Sequence, residues 1–470
     1  MNETAAPNQI SLVEILASLS HALDLTSGQP MGHSQRTCLI ALRIGSLIGL
    51  SEREMNSLHL ATLMKDAGCS SNAARMVEIF GSDDLHAKRM SKITDWTNLA
   101  DAAIYVSKHA APESPLLSRV ARILKIITHK SECSEQVAQS RCDRGSQIAL
   151  NIGLGQDAAL CIQHLDEHWD GSGIPRHVKG DKISLLGRIA CLSQTLEVFS
   201  KTFDLPTAYQ MLRKRSGSWF DPSLVKVALS FEKDAAFWNS VENSALEALL
   251  AINFVKAPIS VNEARIDAIC MAFAQIVDAK STFTAQHSFR VSGYAVEIAE
   301  KMGLGAGRIA EIRRAGLLHD LGKLGVSNTI LDKKASLTPS EWEVIRKHPL
   351  YTHEILKHIK GFSRINQIAS AHHERLDGKG YYLGMKGSEI DLDMRILAVA
   401  DVFDSLSAAR PYRAAMHLED VFKILKREEG VALDSSCIST LREIFTGSRS
   451  TKLMKISTIP VHTFQHDIAA

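Results

Sequence analysis

Five histidines and two aspartates, His287, His319, Asp320, His348, His372, His373 and Asp401, are spread along the C-terminal half of the chain, mostly about one helix plus one connection apart. Each falls on or beside an apolar stripe of helical period. Val291, Tyr294, Ala295, Ile298, Ala299 and Met302 recur at three and four, and His287 stands one turn before Val291 on the same face. Ile312, Gly316, His319, Asp320 and Lys323 share a face by the same spacing, so the spacing predicts that one helix carries them all. Ile365, Ile368 and Ala369 lead to His372 and His373, while Leu397 and Ala400 flank Asp401, with Asp404 one turn on. His348 precedes Pro349 and opens a further helix. A single inward histidine is an ordinary core residue with a hydrogen-bond partner. Seven imidazoles and carboxylates facing one core are a different case, because a buried polar group without a partner costs about 1–3 kcal/mol. Metal ions would satisfy all of them together. Seven donors are too many for one four-coordinate zinc and suit two divalent ions of higher coordination, with iron or manganese favoured over zinc by the mixed nitrogen and oxygen set. Two ions about 3.5–4 Å apart form the clamp used for in-line displacement at phosphorus, in which a water is activated between them.

The elements that must position these groups are helices. The chain has 470 residues with only 12 prolines, and long stretches of Ala, Leu, Ile, Glu and Lys, which favours an all-α fold. Lys plus Arg number 54 against 52 Asp plus Glu, a net charge of +2, so no basic stripe for a nucleic-acid polymer follows. No run approaches the 18 or so apolar residues of a membrane span, and the first residues carry no basic stretch before a hydrophobic one. A cytoplasmic protein without a membrane partner is expected. The eight cysteines contain no CxxC pair, which argues against a disulfide framework and a thiolate zinc site.

An internal repeat organises the chain. GHSQRTCLIALRIGSLIGLS, from Gly32, aligns with QHSFRVSGYAVEIAEKMGLG, from Gln286, pairing His33 with His287 at an offset of 254. The same offset pairs Lys65 with His319 and Asp66 with Asp320. LDEHWDGSGIP then aligns with HHERLDGKGYY, and Arg188 with Arg395, at an offset of 207, so the first copy carries 47 extra residues between its second and third blocks. Two tandem helical bundles are expected: residues 1–255, residues 256–446, and a C-terminal tail over 447–470.

The ordered set HDLGK (His319 to Lys323), HHERLDGKGYY (His372 to Tyr382) and ADVFDSLSAARPYR (Ala400 to Arg413) resembles the HD-GYP family of the HD phosphohydrolase superfamily, over about residues 260–445. The resemblance implies a bacterial all-helical HD-type domain that hydrolyses a cyclic dinucleotide, cyclic di-GMP or 3',3'-cyclic GMP-AMP. It implies His287, His319, Asp320, His348, His372, His373 and Asp401 as metal ligands, with Asp320 bridging and catalytic. Lys323 then fits a catalytic cation near the developing charge, and Gly380, Tyr381, Arg410 and Arg413 fit substrate contacts. Asp404 is expected to hydrogen-bond either a ligand or Lys323. Two departures stand out. Tyr382 takes the place of the proline of the family's motif, which predicts a freer loop, and Phe283 stands where members reported with a third metal have glutamate. A two-metal centre and a linear dinucleotide product are therefore expected. Competing readings are another HD-type nucleotide phosphohydrolase and a cyclic-dinucleotide-binding regulatory protein. The residues leave association into a homodimer open.

The first copy keeps His33 and Asp66 but offers Lys65, Arg141, Leu165, Asp166 and Gln194 at the other five positions. No metal is expected there. Either Lys65 and Arg141 pair internally with Asp66 and Asp166, or the cations bind a phosphate-bearing ligand beside the retained loop Asp170 to Pro175. A degenerate copy ending in GIP before an intact one also resembles tandem members of the family linked to 3',3'-cyclic GMP-AMP.

Overall fold

The computed structural model describes residues 11–112, 114–128, 130–243, 245–251, 261–281, 286–409 and 414–446. Among them every regular element is a helix, apart from two isolated bridges, Ser216 with Phe220 and Glu429 with Leu433. The chain begins with α1 (Leu12–Thr26), α2 (His33–Leu47) and α3 (Glu52–Met64). Next come α4 (Ala73–Phe80), α5 (Asp84–Ser91), α6 (Leu99–His109) and α7 (Leu116–Thr128), and then α8 (Lys130–Asn151) and α9 (Gln156–Gln163). The first half closes with α10 (Leu185–Thr202), α11 (Leu205–Lys214), α12 (Pro222–Ser230), α13 (Ala235–Asn243) and α14 (Ala245–Ala251). The second half holds α15 (Glu263–Asp278), α16 (His287–Lys301), α17 (Ala306–Leu318), α18 (Asn328–Leu331) and α19 (Pro339–Ile345). It ends with α20 (His348–Leu356), α21 (Ser363–Ser370), α22 (Leu392–Ser407), α23 (Leu418–Glu428) and α24 (Ser435–Thr446).

Local chemistry sets the ends that matter. Gly32 and Gln286 both take left-handed backbone, φ +86° and +60°, so that the histidine after each becomes the first residue of its helix. Asp391 accepts from the backbone of Asp393 and Met394 to start α22, as Ser184 accepts from Gly187 to start α10. Pro349 sits where a helix start needs no amide donor. The expected single helical face through Lys323 is not formed. α17 ends at Leu318, and Leu321–Gly325 is a 3-10 turn. The tighter turn lets the Gly322 amide donate to Thr352 Oγ1 at 3.0 Å, and a Cβ on Gly322 would lie 2.0 Å from the His348 carbonyl oxygen. Gly68 meets the carbonyl of Arg141 in the same way, at 1.9 Å, so both copies need glycine where this turn passes against a later helix.

The two halves share one core. A single cluster of buried apolar residues runs from Leu12 through Leu441, and α1 packs on the Lys323 turn and on α20 of the other half. A smaller cluster, built around Phe80, Tyr105 and Ile126, belongs to the extra segment of the first half. No described helix is long and apolar enough to cross a membrane. The seven cysteines whose side chains are described are buried and free.

Candidate metal centre

The seven expected ligands come together, from the starts of α16 and α20, the turns after α17 and α21, and the middle of α22. All are buried except His373, which is part-exposed. Asp320 stands between two sets. Its Oδ2 lies 3.4 Å from His287 Nε2 and 3.4 Å from His319 Nε2, while its Oδ1 lies 3.4 Å from His348 Nε2 and 3.7 Å from His372 Nε2. Asp401 completes both, with Oδ1 3.3 Å from His287 Nε2 and Oδ2 3.9 Å from His373 Nδ1.

The hydrogen bonds behind these rings decide what they present forward. Nδ1 of His319, His348 and His372 donates to the carbonyls of Gly316, Ile345 and Ala369 at 2.8, 2.7 and 2.6 Å. A neutral imidazole has one N–H, so the Nε2 of each carries a lone pair. His348 Nε2 and His372 Nε2 then face one another at 3.1 Å, two acceptors with no hydrogen between them. His287 Nε2, His319 Nε2 and Asp320 Oδ1 are buried and make no hydrogen bond among the described residues. Protonation does not resolve the conflict. Burial drives His372 down to about 4 and holds His348 and His373 well below the ordinary histidine range. Burial would raise Asp320 and Asp401, but the facing histidines, with Lys323 beside Asp320, hold both carboxyls well below their usual range. Ionised carboxylates facing imidazole nitrogens at 3.3–3.9 Å form a donor set that fits divalent cations.

Asp404 falls on one of its two expected partners. It accepts from His287 Nδ1 at 2.7 Å and makes no hydrogen bond or ion pair with Lys323; Arg290, unforeseen from the sequence, fastens it through Nε at 2.6 Å and a terminal nitrogen at 2.9 Å. Burial disfavours a charged His287, yet the carboxylates of Asp320, Asp401 and Asp404 outweigh it and hold the ring well above its ordinary range. Lys323 donates to Asp320 Oδ2 at 2.6 Å. Tyr381 packs its ring 4.8 Å from that of His373, at the rim. The exposed Arg346 stands 5.7 Å above the Tyr381 ring, a cation the sequence reading missed. Gly380 lies where a Cβ would come within 2.5 Å of Glu374 Cα, so close backbone packing accounts for this glycine.

The loop with Tyr382 is not free. Glu374 accepts from the amides of Leu383, Gly384 and Met385, and Glu167 holds the corresponding loop of the first copy through Arg176 and Val178. The Tyr381–Tyr382 and Ile174–Pro175 peptide bonds are both cis. The expectation of a freer loop is corrected by these carboxylate tethers, which do not depend on proline. Arg410, Arg413 and Phe283 lie outside the described residues.

The first copy repeats the frame and replaces the centre. His33, Glu197 and Arg36 reproduce His287, Asp404 and Arg290, with Arg36 Nε 2.7 Å from Glu197 Oε1. Where the second copy has open lone pairs, Lys65 Nζ sits 2.8 Å from His33 Nε2 and pairs with Asp66. Arg141 pairs with Asp166. Lys92, from the extra segment and not singled out in the sequence, reaches both Asp66 Oδ1 and Gln194 Oε1 at 3.1 Å.

Residues 116–224 and 271–437 match the HD domain family, and the chain belongs to it. A 3'3'-cGAMP-specific phosphodiesterase of Vibrio cholerae is 39% identical over 441 residues, 94% of this chain and 96% of its own. A crystal structure of a cyclic GMP-AMP-specific phosphodiesterase from the same organism superimposes with a TM-score of 0.65 at 34% identity, covering 96% of this chain and 99% of the other. A cyclic di-GMP phosphodiesterase of Thermotoga maritima is 40% identical over 151 residues, 31% of this chain and 40% of its own.

Proposed function

We propose that this protein is a metal-dependent phosphodiesterase that opens a cyclic dinucleotide to the linear form, with residues 256–446 as the catalytic unit, 1–255 as a degenerate unit without metal, and 3',3'-cyclic GMP-AMP preferred over cyclic di-GMP. One observation carries the reading: His348 and His372 direct lone pairs at each other across 3.1 Å, beside an ionised Asp320 that faces two histidines with each oxygen. Two divalent ions, iron or manganese, held by the seven ligands would supply Lewis acidity and an activated water.

The chain's own groups do the positioning. The carbonyls of Gly316, Ile345 and Ala369 fix three imidazoles with Nε2 forward, and Asp404 does the same for His287. Asp320 spans the two halves of the donor set. Water adds to a phosphorus and one ester bond to a ribose hydroxyl oxygen breaks, so the product keeps one phosphodiester. Lys323, near that phosphorus, offsets the charge that builds on its oxygens. Tyr381 offers a ring at the rim for a base, and Arg346 above it a fork for the second phosphate. Preference for the mixed dinucleotide is supported by the relative that matches along the whole chain. The test is hydrolysis of both cyclic dinucleotides by anaerobically purified protein, with metal measured on the same sample. Metal-loaded protein inert toward both would remove the proposal.

A further inference from the structure

The extra segment of the first copy does more than lengthen it. It roofs a cavity of about 490 Å³, within the range of small-molecule pockets. The floor is the degenerate centre, with Lys92, Arg141, Asp166 and Gln194, and the roof is apolar, with Phe80, Trp96, Tyr105 and Ile126. Leu99 and Ala103, exposed on one face of α6, also line it and mark the mouth.

Each cation at the floor already holds a partner within the protein, with Asp66 shared between Lys65 and Lys92. Lys92 is taken by Asp66 and Gln194, and Arg141 by Asp166. Lys88, in the wall, donates to the carbonyls of Thr26 and Cys69 and lies 3.4 Å from Asp84. His168, stacked on Trp219 at 4.1 Å, is pushed down to about 4, chiefly by burial, and is neutral at physiological pH. A ligand with two phosphates would have to displace these contacts, which counts against the phosphate-binding alternative for this copy. Two lining groups do lack partners among the described residues: Asn72 Oδ1, an acceptor on a residue 6% exposed, and Trp219 Nε1, a donor on one 9% exposed.

The wall also touches the other copy. One turn before Lys88, Asp84 Oδ1 accepts from Ser327 Oγ at 3.0 Å and from the Asn328 amide at 2.8 Å, at the start of α18 just past the Lys323 turn. We propose that the first copy is a receptor for an uncharged, largely aromatic small molecule with one hydrogen-bond donor and one acceptor, and that α5 relays its binding to the catalytic turn.

The probe is N-phenyl-1-naphthylamine, an uncharged aromatic amine whose fluorescence rises in apolar surroundings, titrated into the full, metal-loaded chain. One saturable site is expected, undiminished by excess cyclic dinucleotide, together with a change of at least about twofold in kcat at saturation. Ala103→Trp at the exposed mouth and Asn72→Leu inside should each weaken binding about tenfold with helicity retained. No saturable signal, affinity unchanged in both variants, or displacement by equimolar cyclic dinucleotide would overturn the receptor. Stoichiometric binding with unaltered turnover would overturn the relay.

Discussion

The two polar clusters differ less in architecture than in what fills their middle. Both hang a helix-starting histidine on a carboxylate and an arginine: His33 with Glu197 and Arg36, His287 with Asp404 and Arg290. Both fasten the loop after the third block by one buried glutamate. At the centre, the first copy inserts the ammonium of Lys65 and the guanidinium of Arg141, covalently attached cations that neutralise Asp66 and Asp166. The second leaves the equivalent space to imidazole lone pairs. A frame of this kind is therefore compatible with either a tethered or an exchangeable cation, and only the second arrangement can offer a Lewis acid to a substrate.

That contrast can be broken most directly at the paired aspartates. Asp320→Ala should lower cyclic-dinucleotide hydrolysis by about a thousandfold or more with the helical signal intact, since the carboxylate that faces both sets of histidines is gone; retained turnover would sink the catalytic assignment. Metal content separates the copies next. His348→Ala should lose bound metal while His33→Ala keeps the wild-type stoichiometry, as elemental analysis of the two proteins would show. Arg290→Ala, which frees Asp404, should weaken metal binding about tenfold to a hundredfold in competition with a chelator.

Stability sharpens the comparison from the other side. Asp66→Ala strands the buried Lys65 ammonium and should cost about 3–5 kcal/mol in urea unfolding, whereas the double change Lys65→Met with Asp66→Asn should cost much less. The smallest effect concerns the seam between the copies. Lys280, fully buried and donating to the Leu324 carbonyl at 2.7 Å, is lowered to about 8, by burial first and by Lys88 as well, with Asp84 opposing. Between about 8 and its ordinary value of 10.5 the folded chain holds fewer protons than the unfolded one, so this group's contribution to stability rises with pH across that window. Unfolding free energies of the wild type relative to Lys280→Met should show that rise; a flat difference would assign Lys280 an ordinary pKa.

The seven clustered histidines and aspartates were legible because each combines a side chain able to bind metal with an apolar helical stripe, and the order of such blocks survives divergence. The repeat even contained signals that went unused. Arg36 and Arg290 each follow the paired histidine by three residues, and Glu167 and Glu374 each sit in the third block. Helical periodicity failed at Lys323, since nothing local says that the chain must tighten to let Gly322 pass beneath the His348 carbonyl. Lys92 was invisible for a similar reason: it has no counterpart in the repeat, and only the folding of the extra segment brings it to Asp66.

By itself, then, the amino-acid sequence determined the all-helical fold, the repeated unit and the identity of the clustered side chains, because these follow from residue type and from periods of three and four. The tertiary structure alone decided which nitrogen of each imidazole points forward, that one carboxylate serves two sets of histidines, that the two halves share a single core, and that the extra segment encloses a cavity. Those outcomes depend on distances between segments far apart in the chain, where packing and hydrogen bonding between helices outweigh any local preference.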